Sequence, residues 1–415
     1  MRRILFIIAG IIVFLGIGIG VYLLLSHKSS GLAIGGGNEF PSAEQGGLSD
    51  GSTTQAAQGL GVPVPGAGTD IAPGLVRITD RPVALGSIAV YVPPQVAPAT
   101  TTASSTSVGS TEPDVRVEYV ERESGNIYAY LAHARTLTRL SNKTLPGIQE
   151  ATWMADGSLA YVRFLEKTDG AERIDTYALP SDGGNGYFLE QNLSQVLTRA
   201  TSTLVTLLST TDGSSASISS PSGSNLKTLF SSPLSSLRLG FLGANLVATT
   251  KASAKTDGYA FVVDGKTGVF TRALGPLSGL ATLPSPQGKY IAFSYLDHGQ
   301  PALAVLTIST HVATRLPLST LAEKCAWTND DSALYCGVPS SLPKATLPDD
   351  WYQGATAFSD RIWRIDLAGR VATLVIDPKQ AGGVDVDAVG LALDRTNDVL
   401  IFTNKRDEAL YALDI

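Results

Sequence analysis

The chain has 415 residues, enough for one large or two ordinary domains, and its 44% apolar content allows a sizeable core. Charged residues make up only 16%, against roughly 25% in typical soluble domains, and Gly, Ser and Thr take their place. A net charge of −6 with no basic run or stripe argues against a nucleic-acid partner, and four histidines with two cysteines are few for a metalloprotein of this size.

Taken from the start, Met1-Arg2-Arg3 precedes an unbroken apolar run of 22 residues, Ile4–Leu25. As a helix that length spans a hydrocarbon core of about 30 Å. A cleavable signal peptide is the rival reading. Its apolar region is usually only about 7–15 residues, and no small-x-small cleavage site follows in SHKSSGLAIGG. Residues 1–28 are therefore expected to be an uncleaved transmembrane anchor. Arg2 and Arg3 would stay cytoplasmic by the positive-inside rule, placing the rest of this single-pass chain outside the cytoplasm. Residues 29–73 are rich in Gly, Ser, Ala, Pro and Gln, nearly uncharged, with Phe40 as the sole aromatic. Such a segment cannot bury enough apolar surface to offset its ordering entropy. It reads as a disordered tether with a reach of about 35–40 Å.

From about residue 74 the chain consists of short β-rich runs and turns. ATWMADGSLAYVRF, VLTRATSTLVTLL, LRLGFLGANLVATT, ATLPSPQGKYIAFS, CAWTNDDSALYCGV and GLALDRTNDVLIFTN each give an apolar strand, a polar turn and a second apolar strand. Their turns centre near 156, 200, 243, 287, 330 and 396, so the spacings are 44, 43, 44, 43 and 66. The last contains the extra segment 339–360, of 22 residues, and removing it restores 44. Each hairpin is followed by two further strands, such as GYAFVVD with VFTRAL and RIWRID with RVATLVI. A period near 44 with four strands, A to D from the hub outward, is a propeller blade.

Residues 75–140 then fall into phase. Leu75–Thr79 becomes a D strand and Val83–Val92 an A strand. Val115–Val120, Asn126–Ala132 and Thr136–Leu140 become B, C and D of that first blade. The low-complexity stretch 93–113 becomes a flexible loop within it. The chain ends on ALYALDI, a C strand that lacks its D, and Leu75–Thr79 can supply one. The expected fold is thus all-β, a seven-bladed β-propeller over 74–415, closed by pairing of its N- and C-terminal strands and preceded by one transmembrane helix.

The turn sequences Trp153-Met-Ala-Asp156-Gly157, Ser285-Pro286-Gln287-Gly288 and Trp327-Thr-Asn-Asp330 resemble the TolB-like, WD40-like (PD40-type) propeller repeat. That resemblance covers about 75–415 and implies a protein-binding platform before it implies catalysis. The Gly and Asp residues of these turns have a plainer role, tolerating the tight backbone of hairpin tips.

Cys325 and Cys336 flank the turn at Asp330-Asp331 symmetrically, which sets them opposite each other on strands A and B. Directly opposed Cβ atoms lie about 4.5–5.5 Å apart, slightly wide for a disulfide, though a non-hydrogen-bonded pair closes the gap. Outside the cytoplasm oxidation is permitted, so a cross-strand disulfide is expected. Two buried free thiols are the alternative.

No G-x-S-x-G elbow, zinc spacing or EF-hand loop is present, so no catalytic residue, metal site or cofactor is expected. His133, His298 and His311 fall in different blades, and Asp385 and Asp387 read as a solvated edge. What remains is the face carrying the B–C and D–A loops. Segment 339–360 is a B–C loop on it and presents Asp349, Asp350, Trp351 and Tyr352, while Lys251 and Lys255 lie on another. These six are the expected contacts for a protein or cell-wall partner, since aromatic groups dominate interface hot spots. Trp351 could instead fold back over its blade. The opposing functional reading is a lactonase, lyase or hydrolase at the hub. The A strands are mostly apolar, with Glu150 and Lys324 as charged exceptions, which favours a scaffold.

Overall fold

Residues 60–94, 112–168 and 171–415 are described by the computed structural model. Their strands are short and separated by Gly, Asp and Asn turns, many of them in the left-handed region, so pairing is local and antiparallel. Seven sheets result, five of four strands and two of five. Their A strands are Ile88–Val92, Ile148–Trp153, Leu193–Arg199, Leu237–Leu242, Ala281–Pro284, Cys325–Trp327 and Ala388–Leu393. A strands of most successive blades lie against one another around the hub. Seven apolar clusters among the described residues correspond one to each blade–blade interface, including blade seven against blade one.

The period of the sequence is physically visible at these interfaces. Equivalent positions of neighbouring blades bond to each other, so the partners are 44 residues apart. Trp327 Nε1 donates to the Leu283 carbonyl, Thr152 to the Val196 carbonyl and Gln195 Nε2 to the Leu239 carbonyl. Trp153 Nε1 donates to the Gly86 carbonyl across 67 residues, because the loop of blade one adds to the period. The turns are clamped in the same way. Buried Asp331 accepts the Ser285 hydroxyl at 2.7 Å and the Gln287 N–H at 3.0 Å. Gly157 has φ +76°, and a Cβ there would lie 2.8 Å from the Glu118 carboxylate of blade one, so glycine is what lets the two blades approach.

The ring closes as strand Leu75–Arg77 pairs with Leu410–Asp414, Leu75 opposite Leu413. Strands of blade one run over Asp114–Val120, Ile127–Leu131 and Thr136–Arg139. The A strand expected over Val83–Val92 is shorter; Val83 and Leu85 make only isolated bridges, to Glu121 and Glu150. The linker expected over 29–73 ends earlier than its composition suggests. Pro63–Pro65 adds a fifth strand outside Thr136–Arg139, and Thr69–Ala72 adds one outside Leu75–Arg77. Proline is tolerated there because an outermost strand needs only one side of its ladder. The anchor at 4–25, the linker as far as 59 and loop residues 95–111 lie outside the described residues. Among the described residues no helix is long and apolar enough to cross a membrane.

Candidate functional site: the loop face at blades four to six

Blade six carries its insertion between strands Ala333–Pro339 and Asp360–Asp366, a B–C loop. Its residues 340–359 contain one short helix, α1 (Asp349–Tyr352). The loop is built inward. Leu347, Trp351 and Phe358 form an eighth apolar cluster with Leu321, and Trp351 is 5% exposed. This Trp351, expected among the binding contacts, is covered because its indole N–H has a buried partner: it donates to Asp387 at 3.0 Å. Asp387, expected as a solvated edge, is fully buried. It accepts the Lys324 ammonium and the Phe358 N–H as well. Lys324 also pairs with Asp360 at 2.8 Å and lies 5.1 Å and 5.0 Å from the Trp351 and Phe358 ring centroids. Burial pushes the Asp360 carboxyl up to about 6, with Lys324 pulling the other way. Lys324, expected on strand A, ends the short turn just before it and is a buried pin that fastens the insertion to the hub.

The outer end of the insertion is fastened to blade four. Asp349 accepts the Ser253 hydroxyl at 2.8 Å and the Ala254 N–H at 2.7 Å. Asp350 is spent within its own loop, accepting the Thr346 N–H at 2.7 Å. Between the two fastenings lies a hollow. Its inner part, about 280 Å³, is lined by Arg238, Thr249, Lys251, Thr282, Glu323 and Tyr352, over an apolar floor of Ala252, Leu280 and Ala281. It shares Thr250, Lys251, Ala252 and Tyr352 with an outer part of about 410 Å³ that reaches Ser235, Thr256 and Gln353.

The Tyr352 hydroxyl donates to Glu323. Glu323 keeps surface facing the hollow, yet its removal from bulk solvent raises its carboxyl above the ordinary range, with the Tyr352 bond, Arg238 and Lys405 opposing that rise. Burial, then the Glu323 charge, holds the Tyr352 phenol above its usual range. Lys405 is depressed, chiefly by burial, and sits 4.1 Å from the Trp351 centroid.

Of the six expected contacts, the structure brings Tyr352, Lys251 and Asp349 to the hollow. Lys255 is exposed on the adjoining loop. Arg238 and Glu323 went unrecognised in the sequence. Each adjoins an apolar strand start in LRLGF or AEKCAW, and only an alignment of those starts places both on one rim. Cys325 and Cys336 stand in register and are joined as a disulfide. His133 sits on a turn of blade one, whereas His298 and His311, expected in different blades, both sit on turns of blade five. Among the described residues no three His, Cys, Asp or Glu side chains are grouped to hold a metal.

No protein-family model matches the chain, and no curated protein matches it in sequence. Among solved structures it is similar to the oligogalacturonate lyase of Vibrio parahaemolyticus, with a TM-score of 0.54 at 9% identity, covering 86% of this chain and 99% of that one. An oligogalacturonate lyase in complex with manganese gives a TM-score of 0.54 at 8% identity, covering 86% and 98%. At such identities the likeness is one of fold, and the chain is an all-β, seven-bladed propeller.

Proposed function

We propose that this propeller is held outside the cytoplasm by an N-terminal membrane anchor and binds a protein partner on its B–C/D–A loop face. The observation that carries the reading is the fastening of the blade-six insertion at both ends, by Lys324 with Asp387 and by Asp349 with Ser253. A long loop held in one conformation presents contacts without the ordering cost of a mobile one. Its half-buried Tyr352 and exposed Gln353, with Lys251 beside them, border an open hollow. The 22-residue apolar run and the TolB-like turn sequences support the location and the class.

Affinity capture with the full-length chain from native membranes, read by mass spectrometry, tests the reading. Lys255→Glu combined with Gln353→Arg changes the rim without touching the buried pin. Loss of the captured protein at an unchanged melting temperature is expected. Undiminished capture would place the partner on another face.

One observation favours a second reading, a hub enzyme. Glu323 with a raised carboxyl, Tyr352 and Arg238 is an arrangement able to move a proton at a bound ligand. Among the described residues no three His, Cys, Asp or Glu side chains are grouped to hold a metal. Metal analysis of the purified protein separates the readings: stoichiometric calcium, zinc or manganese would favour the enzyme.

A further inference from the structure

We propose that the inner hollow between Arg238, Glu323 and Tyr352 receives the free C-terminal carboxylate of a peptide chain. This rests on the loop-face reading and names what that face recognises.

Charge comes first. Among the described residues the Arg238 guanidinium and the Lys251 ammonium make no hydrogen bond or close ion pair, although both line the hollow, and the Arg238 charge acts on Glu323 across it. The carboxyl that lines the inner part, Glu323, is already engaged by the Tyr352 hydroxyl. Asp349, which borders the outer part, is taken by Ser253 and Ala254. The recess therefore offers two cationic donors without close partners, beside two carboxylates whose oxygens are occupied by neutral donors. A guanidinium matches a carboxylate in a bidentate fork, a stronger and more directional contact than an ammonium makes.

Shape and polarity narrow the choice. The inner part is a recess bounded by the A strands of blades four and five and by the short turn Ala322–Lys324. Beneath lie Leu280, Ala281 and Ala252, almost wholly covered at 0%, 5% and 7% exposure, so the base is closed by packed apolar groups. The Thr249 and Thr282 hydroxyls, 2.6 Å apart, stand on the wall, and the outer part adds Ser235, Ser236, Thr256 and Gln353 for preceding amides.

The probe is a mixed pool of N-acetylated tetrapeptides with free C-termini, offered to the full-length protein beside the same pool as C-terminal amides, with retention read by mass spectrometry. The acids should be retained about tenfold or more above the amides, corresponding to about 1.4 kcal/mol. Arg238→Ala should erase that preference, and Arg238→Lys should restore part of it, with melting temperatures unchanged. Equal retention of acids and amides, or a preference that survives Arg238→Ala, overturns the assignment. So does competition by oligogalacturonates at concentrations where the peptide acids do not bind. If protein capture persists while acids and amides are retained alike, only the carboxylate assignment falls. If the rim substitutions leave capture intact, the loop-face reading falls with it.

Discussion

Glu118 shows how a single repeat position couples two blades. Its side chain is 1% exposed on strand Asp114–Val120 and pairs with Arg116 at 2.5 Å. Its second oxygen has no hydrogen-bond partner among the described residues. Burial outweighs Arg116 and raises its carboxyl to about 7 from an ordinary 4.5. A group whose folded-state value is raised contributes stability that is full below the unfolded value and lost as pH rises through the folded one. Glu118 therefore favours folding below about pH 4.5 and loses that contribution as pH climbs toward 7. Glu118→Gln should flatten this segment of the stability curve and leave the variant more stable than the parent at pH 8, by no more than a few kcal/mol. Urea midpoints measured from pH 4 to 8 check it; parallel curves for the two proteins would contradict it. The repeat pattern marks Asp156-Gly157 as a turn. It could not mark Glu118 as the group lying against that glycine, because the two belong to different blades and meet only when the ring is assembled.

At the scale of elements, the sequence was most legible where apolar strands recur at fixed spacing. Six A–B hairpins, the position of the insertion and the facing cysteines all follow from counting, and blade one follows by alignment with them. Elements without alternation were hidden: Pro63–Pro65 and Thr69–Ala72 are short edge strands inside a Gly- and Pro-rich stretch. The orientation of the insertion was equally hidden, since an aromatic pair on a long loop reads the same whether it points out or in. Burial of Trp351 and Lys324 settles it and makes a prediction. Lys324→Met would leave Asp360 and Asp387 in the interior without their cation, and breaking a buried pair costs about 3–5 kcal/mol. A lowered urea midpoint should accompany faster proteolytic nicking within 340–359, because the inner fastening is gone. An unchanged midpoint with an unnicked loop would mean that the apolar cluster alone holds the insertion. For the same reason deletion of 342–356 is a poor probe of binding, as it removes Trp351 and uncovers the buried charges.

For the whole molecule the decisive contact is the one between its ends. Every other blade draws its four strands from contiguous chain, so they can pair locally. Blade seven takes strands Ala388–Leu393, Val399–Asn404 and Leu410–Asp414 from the C-terminal end and Leu75–Arg77 with Thr69–Ala72 from the N-terminal end. The cluster between blades seven and one depends on that pairing, with Ile78 and Val83 packed beside Leu410 and Ala412. Closure also removes the open edge that would otherwise pair with another chain. Removal of Leu410–Ile415 deletes the strand between the two ends, so two blade interfaces lose their packing together, since Tyr411 and Leu413 belong to the six–seven cluster. A cooperative loss of stability across the ring is expected, together with association through the exposed strands Val399–Asn404 and Leu75–Arg77. Among the described residues, removal of those before Ala67 strips only the outer strand of blade one, and its effect on the propeller's stability should be confined there. Differential scanning calorimetry with sedimentation velocity distinguishes the two. A truncation at Leu410 that stays monomeric, with an unaltered transition, would show that the blades are independently stable and that the terminal pairing is not what closes the propeller.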